Sequence, residues 1–68
     1  MVVGNNVKQV RSKKMVSQAD LAKSTGVSVR HIQFIEDESR CPSLAVALKM
    51  ASGLKEPVGK IFYLKNVL

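Results

Sequence analysis

At 68 residues, 46% of them hydrophobic, the chain has room for one domain with a small core, and its apolar share excludes a disordered polymer. Eleven Lys and Arg against five Asp and Glu give a formal charge of +6, an excess that points to a polyanionic partner, usually nucleic acid. A lone cysteine, Cys41, excludes an internal disulfide framework and a zinc site of clustered cysteines, and is read as a small filler beside Pro42.

The charge is uneven. Residues 1–30 hold Lys8, Arg11, Lys13, Lys14, Lys23 and Arg30 against Asp20 alone. No repeat, low-complexity tract or linker interrupts residues 1–68, so they read as one domain. No apolar run approaches the ~20 residues of a membrane span. The opening Met-Val-Val-Gly-Asn-Asn lacks the regions of a signal peptide. The expectation is a soluble, cytoplasmic protein.

Between Gly4, Gly26, Cys41-Pro42 and Pro57 the apolar pattern is helical. A first helix is predicted from Asn6 to about Lys13, capped by Asn5, with Val7, Val10 and Arg11 on one face. A turn over Ser12–Val16 follows, with Lys13 and Lys14 exposed. A second helix begins after Ser17, whose hydroxyl stands three residues before Asp20 at capping-box spacing. Leu21, Ala22 and Thr25 form its inward stripe, and Gly26 supplies a left-handed end. Ser28 then caps a third helix over about 29–36, with Ile32 and Ile35 buried and Val27 joining them from the turn. After an irregular acidic loop, Ser43 caps a fourth helix from Leu44 to about Gly53, with Leu44, Ala47, Leu48 and Ala51 facing in. Pro57 opens a short fifth helix through about Leu64, anchored by Ile61, Phe62 and Leu64. Met15 and Met50 read as core filler.

Two short helices, about 17–25 and 29–36, joined by a turn containing Gly, fit the helix-turn-helix of DNA-binding proteins. Ala22 is small where the helices cross, Gly26 permits a positive φ, and Val27 and Ile32 lock the pair. The start of the third helix is left projecting, slim enough for a groove ~12 Å wide. Ser17-Gln18-Ala19-Asp20-Leu21-Ala22, Gly26-Val27-Ser28, Ile32, Ile35-Glu36 and Pro42-Ser43-Leu44 together resemble the phage-repressor (Cro/Xre-type) helix-turn-helix family over about residues 5–64. The resemblance implies an all-α, five-helix domain that binds double-stranded operator DNA, usually as a dimer.

It also implies roles. Val29, Arg30, Gln33 and Phe34 match positions that face base edges. Gln18, Ser28 and Arg40 match backbone-contacting positions, and Gln18 also braces the recognition helix. Arg11 and Glu36 match an ion pair tying the first helix to the end of the third; the rival reading of Arg11 is a DNA contact. General chemistry agrees in part: Arg30 can grip guanine O6 and N7, Gln33 adenine N6 and N7, and Val29 a thymine methyl. Phe34 either packs on a thymine methyl or sugar, or turns back onto the protein. His31 either meets a phosphate or base edge, or stays solvated; no ligand spacing around it suggests a metal.

The resemblance has departures. Asp37-Glu38 stands where Asn-Gly is common, so the third helix needs another cap and carries two acids near the DNA-facing edge. Lys55-Glu56 replaces a usual Gly-aliphatic pair, and Gly53 is read as ending the fourth helix instead. No catalytic constellation, phosphate loop or cofactor motif emerges. The reading is a transcriptional regulator, a repressor, on a palindromic operator; Phe62, Tyr63, Leu64, Val67 and Leu68 either form its dimer patch or close the core. The alternative is an antitoxin-type module that binds a partner toxin and represses its own gene.

Overall fold

The structure, a computed structural model, describes residues 2–65. Five helices and a two-stranded sheet follow one another as β1 (Val2–Asn5), α1 (Val7–Lys13), α2 (Gln18–Thr25), α3 (Val29–Glu36), α4 (Leu44–Leu54), α5 (Val58–Ile61) and β2 (Phe62–Lys65). Among the described residues no helix is long and apolar enough to cross a membrane.

The local chemistry explains most boundaries. Asn5 Oδ1 accepts the Val7 N–H at 3.2 Å, satisfying one free donor at the start of α1. The capping box of α2 is complete: Ser17 Oγ accepts from Asp20 N at 2.9 Å, and Asp20 Oδ2 accepts from Ser17 N at 3.1 Å. The Ser17 backbone N–H, and after it the Ser17 hydroxyl, hold the Asp20 carboxyl below its usual pKa. Gly26 takes φ 78° and its N–H returns to the Ala22 carbonyl, closing α2. Thr25 Oγ1 donates to Leu21 O at 2.7 Å and accepts from Val27 N at 3.1 Å, so the hydroxyl stitches the turn between α2 and α3. Ser28 and Ser43 cap α3 and α4 through His31 N and Val46 N.

The core gathers Val7, Leu21, Val27, Ile32, Ile35, Met50, Ala51, Leu54 and Ile61. Each large aliphatic here contributes about 1.5–3 kcal/mol by leaving water.

Several expectations are corrected. The domain is not strictly all-α. Val2–Asn5 pairs antiparallel with Phe62–Lys65 in the register Val2↔Lys65, Val3↔Leu64, Gly4↔Tyr63, Asn5↔Phe62. The fifth helix therefore stops at Ile61, because Phe62–Lys65 extends to pair with Val2–Asn5, Phe62 and Tyr63 lying opposite Asn5 and Gly4. α4 runs past Gly53 to Leu54 and ends on Lys55, which takes the left-handed φ of 56°. Its inward face is Ala47, Met50, Ala51 and Leu54, so Leu44 (75% exposed) and Leu48 (50%) point outward. The buried run at 47, 50, 51 and 54 sets the helix phase, which the richer apolar pattern of this helix leaves ambiguous. Leu64, on the same face of β2 as Phe62, is exposed. Met15 is exposed too, at φ 57° in the turn after α1, while Met50 is fully buried. Cys41 is exposed and lines a shallow apolar groove with Pro42, Leu44, Val58, Phe62 and Leu64. Val67 and Leu68 lie outside the described residues.

Candidate nucleic-acid interface

Ile32 and Ile35 bury one side of α3, so helical geometry sends Val29, Arg30 and Gln33 outward, where all three are exposed. His31 and Phe34 are half-buried at the margin. The loop after α3 folds back through Ser39 N and Arg40 N, which both donate to Phe34 O. That return brings Arg40 to the same side as Arg30. Their guanidinium carbons lie 5.6 and 5.5 Å from the centre of the Phe34 ring. Both cations are thus within reach of the ring, and Ser28, Arg30, His31, Phe34 and Arg40 line one shallow hollow. Its polar lining is hydroxyl, imidazole and guanidinium, a set suited to an anion.

Behind this face a polar chain crosses three helices. Arg11 meets Glu36 with two prongs, Nε to Oε2 at 2.7 Å and Nη2 to Oε1 at 3.2 Å, and Arg11 Nη1 donates to Val16 O at 3.0 Å. The two side chains are only 12% and 7% exposed. Arg11 is therefore spent on the protein rather than turned to the face that carries Val29, Arg30 and Gln33. Glu36 Oε1 also accepts from Gln18 Nε2 at 2.9 Å, and Gln18 Oε1 accepts from Gln33 Nε2 at 3.2 Å. Gln18 thus braces α3 and keeps one amide hydrogen for another acceptor.

The acids after α3 are engaged within the protein. Glu38 takes φ 64° and so supplies the left-handed residue that glycine would provide. Its carboxylate receives Lys65 Nζ at 2.6 Å, which raises the lysine pKa. Asp37 accepts from the Ser39 hydroxyl and backbone N–H, and those bonds lower its pKa, the hydroxyl most.

The sequence reading missed one anchor: Asn5 Nδ2 donates to Ile35 O at 2.8 Å, tethering the last turn of α3 to the first strand. No local pattern announces a bond thirty residues away, although Asn is a residue able to bond neighbouring backbone. Among the described residues no group of three or more His, Cys, Asp or Glu converges to hold a metal ion.

Known proteins share this fold. The helix-turn-helix family model matches residues 7–61. The restriction-modification controller protein C.AhdI from Aeromonas hydrophila superposes with a TM-score of 0.78 at 27% identity, over 81% of this chain and 83% of that one. A Bacteroides fragilis protein classed as DNA-binding superposes with a TM-score of 0.81 at 24% identity, over 91% and 100% of the two chains, and speaks to the fold alone. No curated protein matches the sequence. With most of its length matched from α1 to α5, the chain belongs to the Cro/Xre-like helix-turn-helix family of DNA-binding regulators.

Proposed function

We propose that the chain is a sequence-specific transcriptional repressor that acts in the cytoplasm and reads the major groove with α3. The observation that carries this reading is the composition of one face: Val29, Arg30 and Gln33 exposed, Arg40 folded in beside them, and both nearby acids bonded to other protein groups. Val29, Arg30, Gln33 and Phe34 meet base edges, with the Phe34 ring also holding Arg30 in place. Gln18, Ser28, His31 and Arg40 meet the phosphate backbone, where contacts fix register without reading sequence.

A second copy of the chain sits on the apolar groove beside α4. Tyr63 and Leu64 are exposed there next to Leu44, the half-buried Phe62 lies at its base, and the resulting two-fold pair binds a palindromic operator. Sedimentation tests this part: Leu44→Glu with Leu64→Glu gives a monomer, and an unchanged self-association constant excludes the groove as the interface.

Selection of bound sequences from random duplex DNA tests the readout. Arg30→Ala and Gln33→Ala each cost about 1–3 kcal/mol on the selected site and relax a single base position. Arg40→Ala weakens all sequences alike and lowers the salt slope by about one. Binding by the unmodified protein that is salt-sensitive but sequence-blind overturns the proposal.

A further inference from the structure

We propose that Gln18 and Glu36 fix which end of the Gln33 amide faces the DNA, so that Gln33 selects adenine and rejects guanine and thymine. The inference rests on the function proposed above and concerns the same face.

The hydrogen-bond chain is ordered from its charged end. The Glu36 carboxylate, held by both prongs of Arg11, has only acceptors to offer. Gln18 must therefore turn Nε2 toward it, and does so at 2.9 Å. That choice leaves Gln18 Oε1 as the atom facing Gln33. Gln33 must in turn donate, which it does through Nε2 at 3.2 Å. Reversing either amide would set oxygen against oxygen at one end of the chain. A free glutamine can present either end of its amide, whereas this one is polarised by the Arg11–Glu36 ion pair acting through Gln18.

What remains unspent on Gln33 is its carbonyl oxygen and one hydrogen of Nε2, an acceptor beside a donor. Oε1 receives no bond among the described residues, and the side chain is exposed on the outer face of α3. Adenine offers the complement in the major groove, a donor at N6 beside an acceptor at N7. Cytosine satisfies only the acceptor, through N4. Guanine presents acceptors at both N7 and O6, and thymine an acceptor at O4, so each sets an oxygen against Oε1. Gln18 and Glu36 are thus positioning residues whose effect reaches the base through Gln33.

The test measures affinity for four duplexes that differ only at the base pair that Gln33→Ala relaxes. The unmodified protein prefers adenine there over guanine by about tenfold or more. Gln18→Met and Gln18→Ala, which leave Gln33 in place, bring that ratio to within about threefold and leave preferences at other positions intact. Removing a Gln18 bond to phosphate lowers affinity for all four duplexes alike, so the ratio isolates the orienting role. Thermal melts confirm that each variant is folded. In the DNA-free protein, the Gln33 side-chain amide resonances move in Gln18→Met toward those of an unbonded glutamine.

An unchanged adenine-to-guanine ratio in both folded Gln18 variants overturns the inference, as does a preference for guanine or thymine in the unmodified protein. Amide resonances that ignore Gln18→Met overturn it alone, without touching the proposed function. Sequence-blind binding by the unmodified protein, with those resonances still responsive, overturns the function and the base choice together and leaves Gln18 a structural brace.

Discussion

Arg11 shares its sign with the lysines around it, yet its guanidinium faces the protein. All its bonds run inward, to Glu36 and to the Val16 carbonyl, and little of the pair is exposed. Removing one partner leaves a buried charge uncompensated, so Arg11→Ala costs about 3–5 kcal/mol, a large part of the stability of so small a domain. Arg11→Lys recovers only part of the loss, because an ammonium cannot make the two-pronged contact. Denaturant titration checks both, and a wild-type midpoint for Arg11→Ala would show that the pair contributes nothing. The identity of these partners is legible in the sequence through the spacing that resembles the family. The third member of the chain is not. That Gln18 bonds Glu36 with one end and Gln33 with the other depends on how α2 and α3 cross, and no local pattern encodes it. Phe34 is similar. Its residue type looks out of place on a polar helix face until the fold sets Arg40, ten residues from Arg30, over the same ring.

At the scale of elements, the caps carry the sequence reading. Ser17, Gly26, Ser28 and Ser43 stand where their side chains or backbone freedom satisfy helix ends, and the structure uses each of them so. Gly26 illustrates the strength of the constraint. An added Cβ there would meet nothing within 4 Å, so its requirement is the positive φ alone. Gly26→Ala then costs about 1–2 kcal/mol and Gly26→Asn less, read as shifts of the urea midpoint. Ser28→Ala costs about 1 kcal/mol by removing the bond to His31 N. It also frays the turn that carries Val29 and Arg30, so its DNA affinity falls by more than the stability loss implies at temperatures where it stays folded. Equal binding by folded Ser28→Ala and wild type would show that the cap does not organise the reading face. The sequence misleads at α4 and at the end of α5. In α4 nearly every position is apolar or small, and two phases bury a plausible stripe; only packing against α2 selects the one through Met50 and Leu54. The strand after Ile61 exists because Val2–Asn5 is there to pair with it, a long-range partner invisible to helical periodicity.

For the molecule as a whole, the short sheet and its neighbours fasten the far end of α3. Asn5 bonds the Ile35 carbonyl, Lys65 meets Glu38, and Arg11 holds Glu36, so the last turn of α3 and the loop that leaves it are gripped from both ends of the described chain and from α1. Caps and ion pairs elsewhere in the fold give stability a dependence on pH of definite sign. Bonds in the folded state lower the pKa of Asp20, Asp37 and Glu56, the last chiefly through Lys14. A carboxyl lowered by folding stabilises the protein above its unfolded pKa, and that contribution disappears as pH falls through the folded value. Lys65 is raised by Glu38, so its contribution is complete below its unfolded pKa and is lost as pH rises through the folded one. The acid and alkaline limits therefore both lie far from neutrality, and the acid limb is the accessible one. With a formal charge of +6 already present, each carboxylate neutralised by acid also adds to self-repulsion. Melting temperature is expected to fall as pH drops below about 4, and to fall less steeply in Asp20→Asn, which has no carboxylate left to titrate against the Ser17 N–H. Circular dichroism melts across that range check both statements. An acid limb of the same steepness in Asp20→Asn would assign the loss to Asp37, Glu56 and general repulsion rather than to the capping box, and a flat profile would remove these carboxylates from the account of stability.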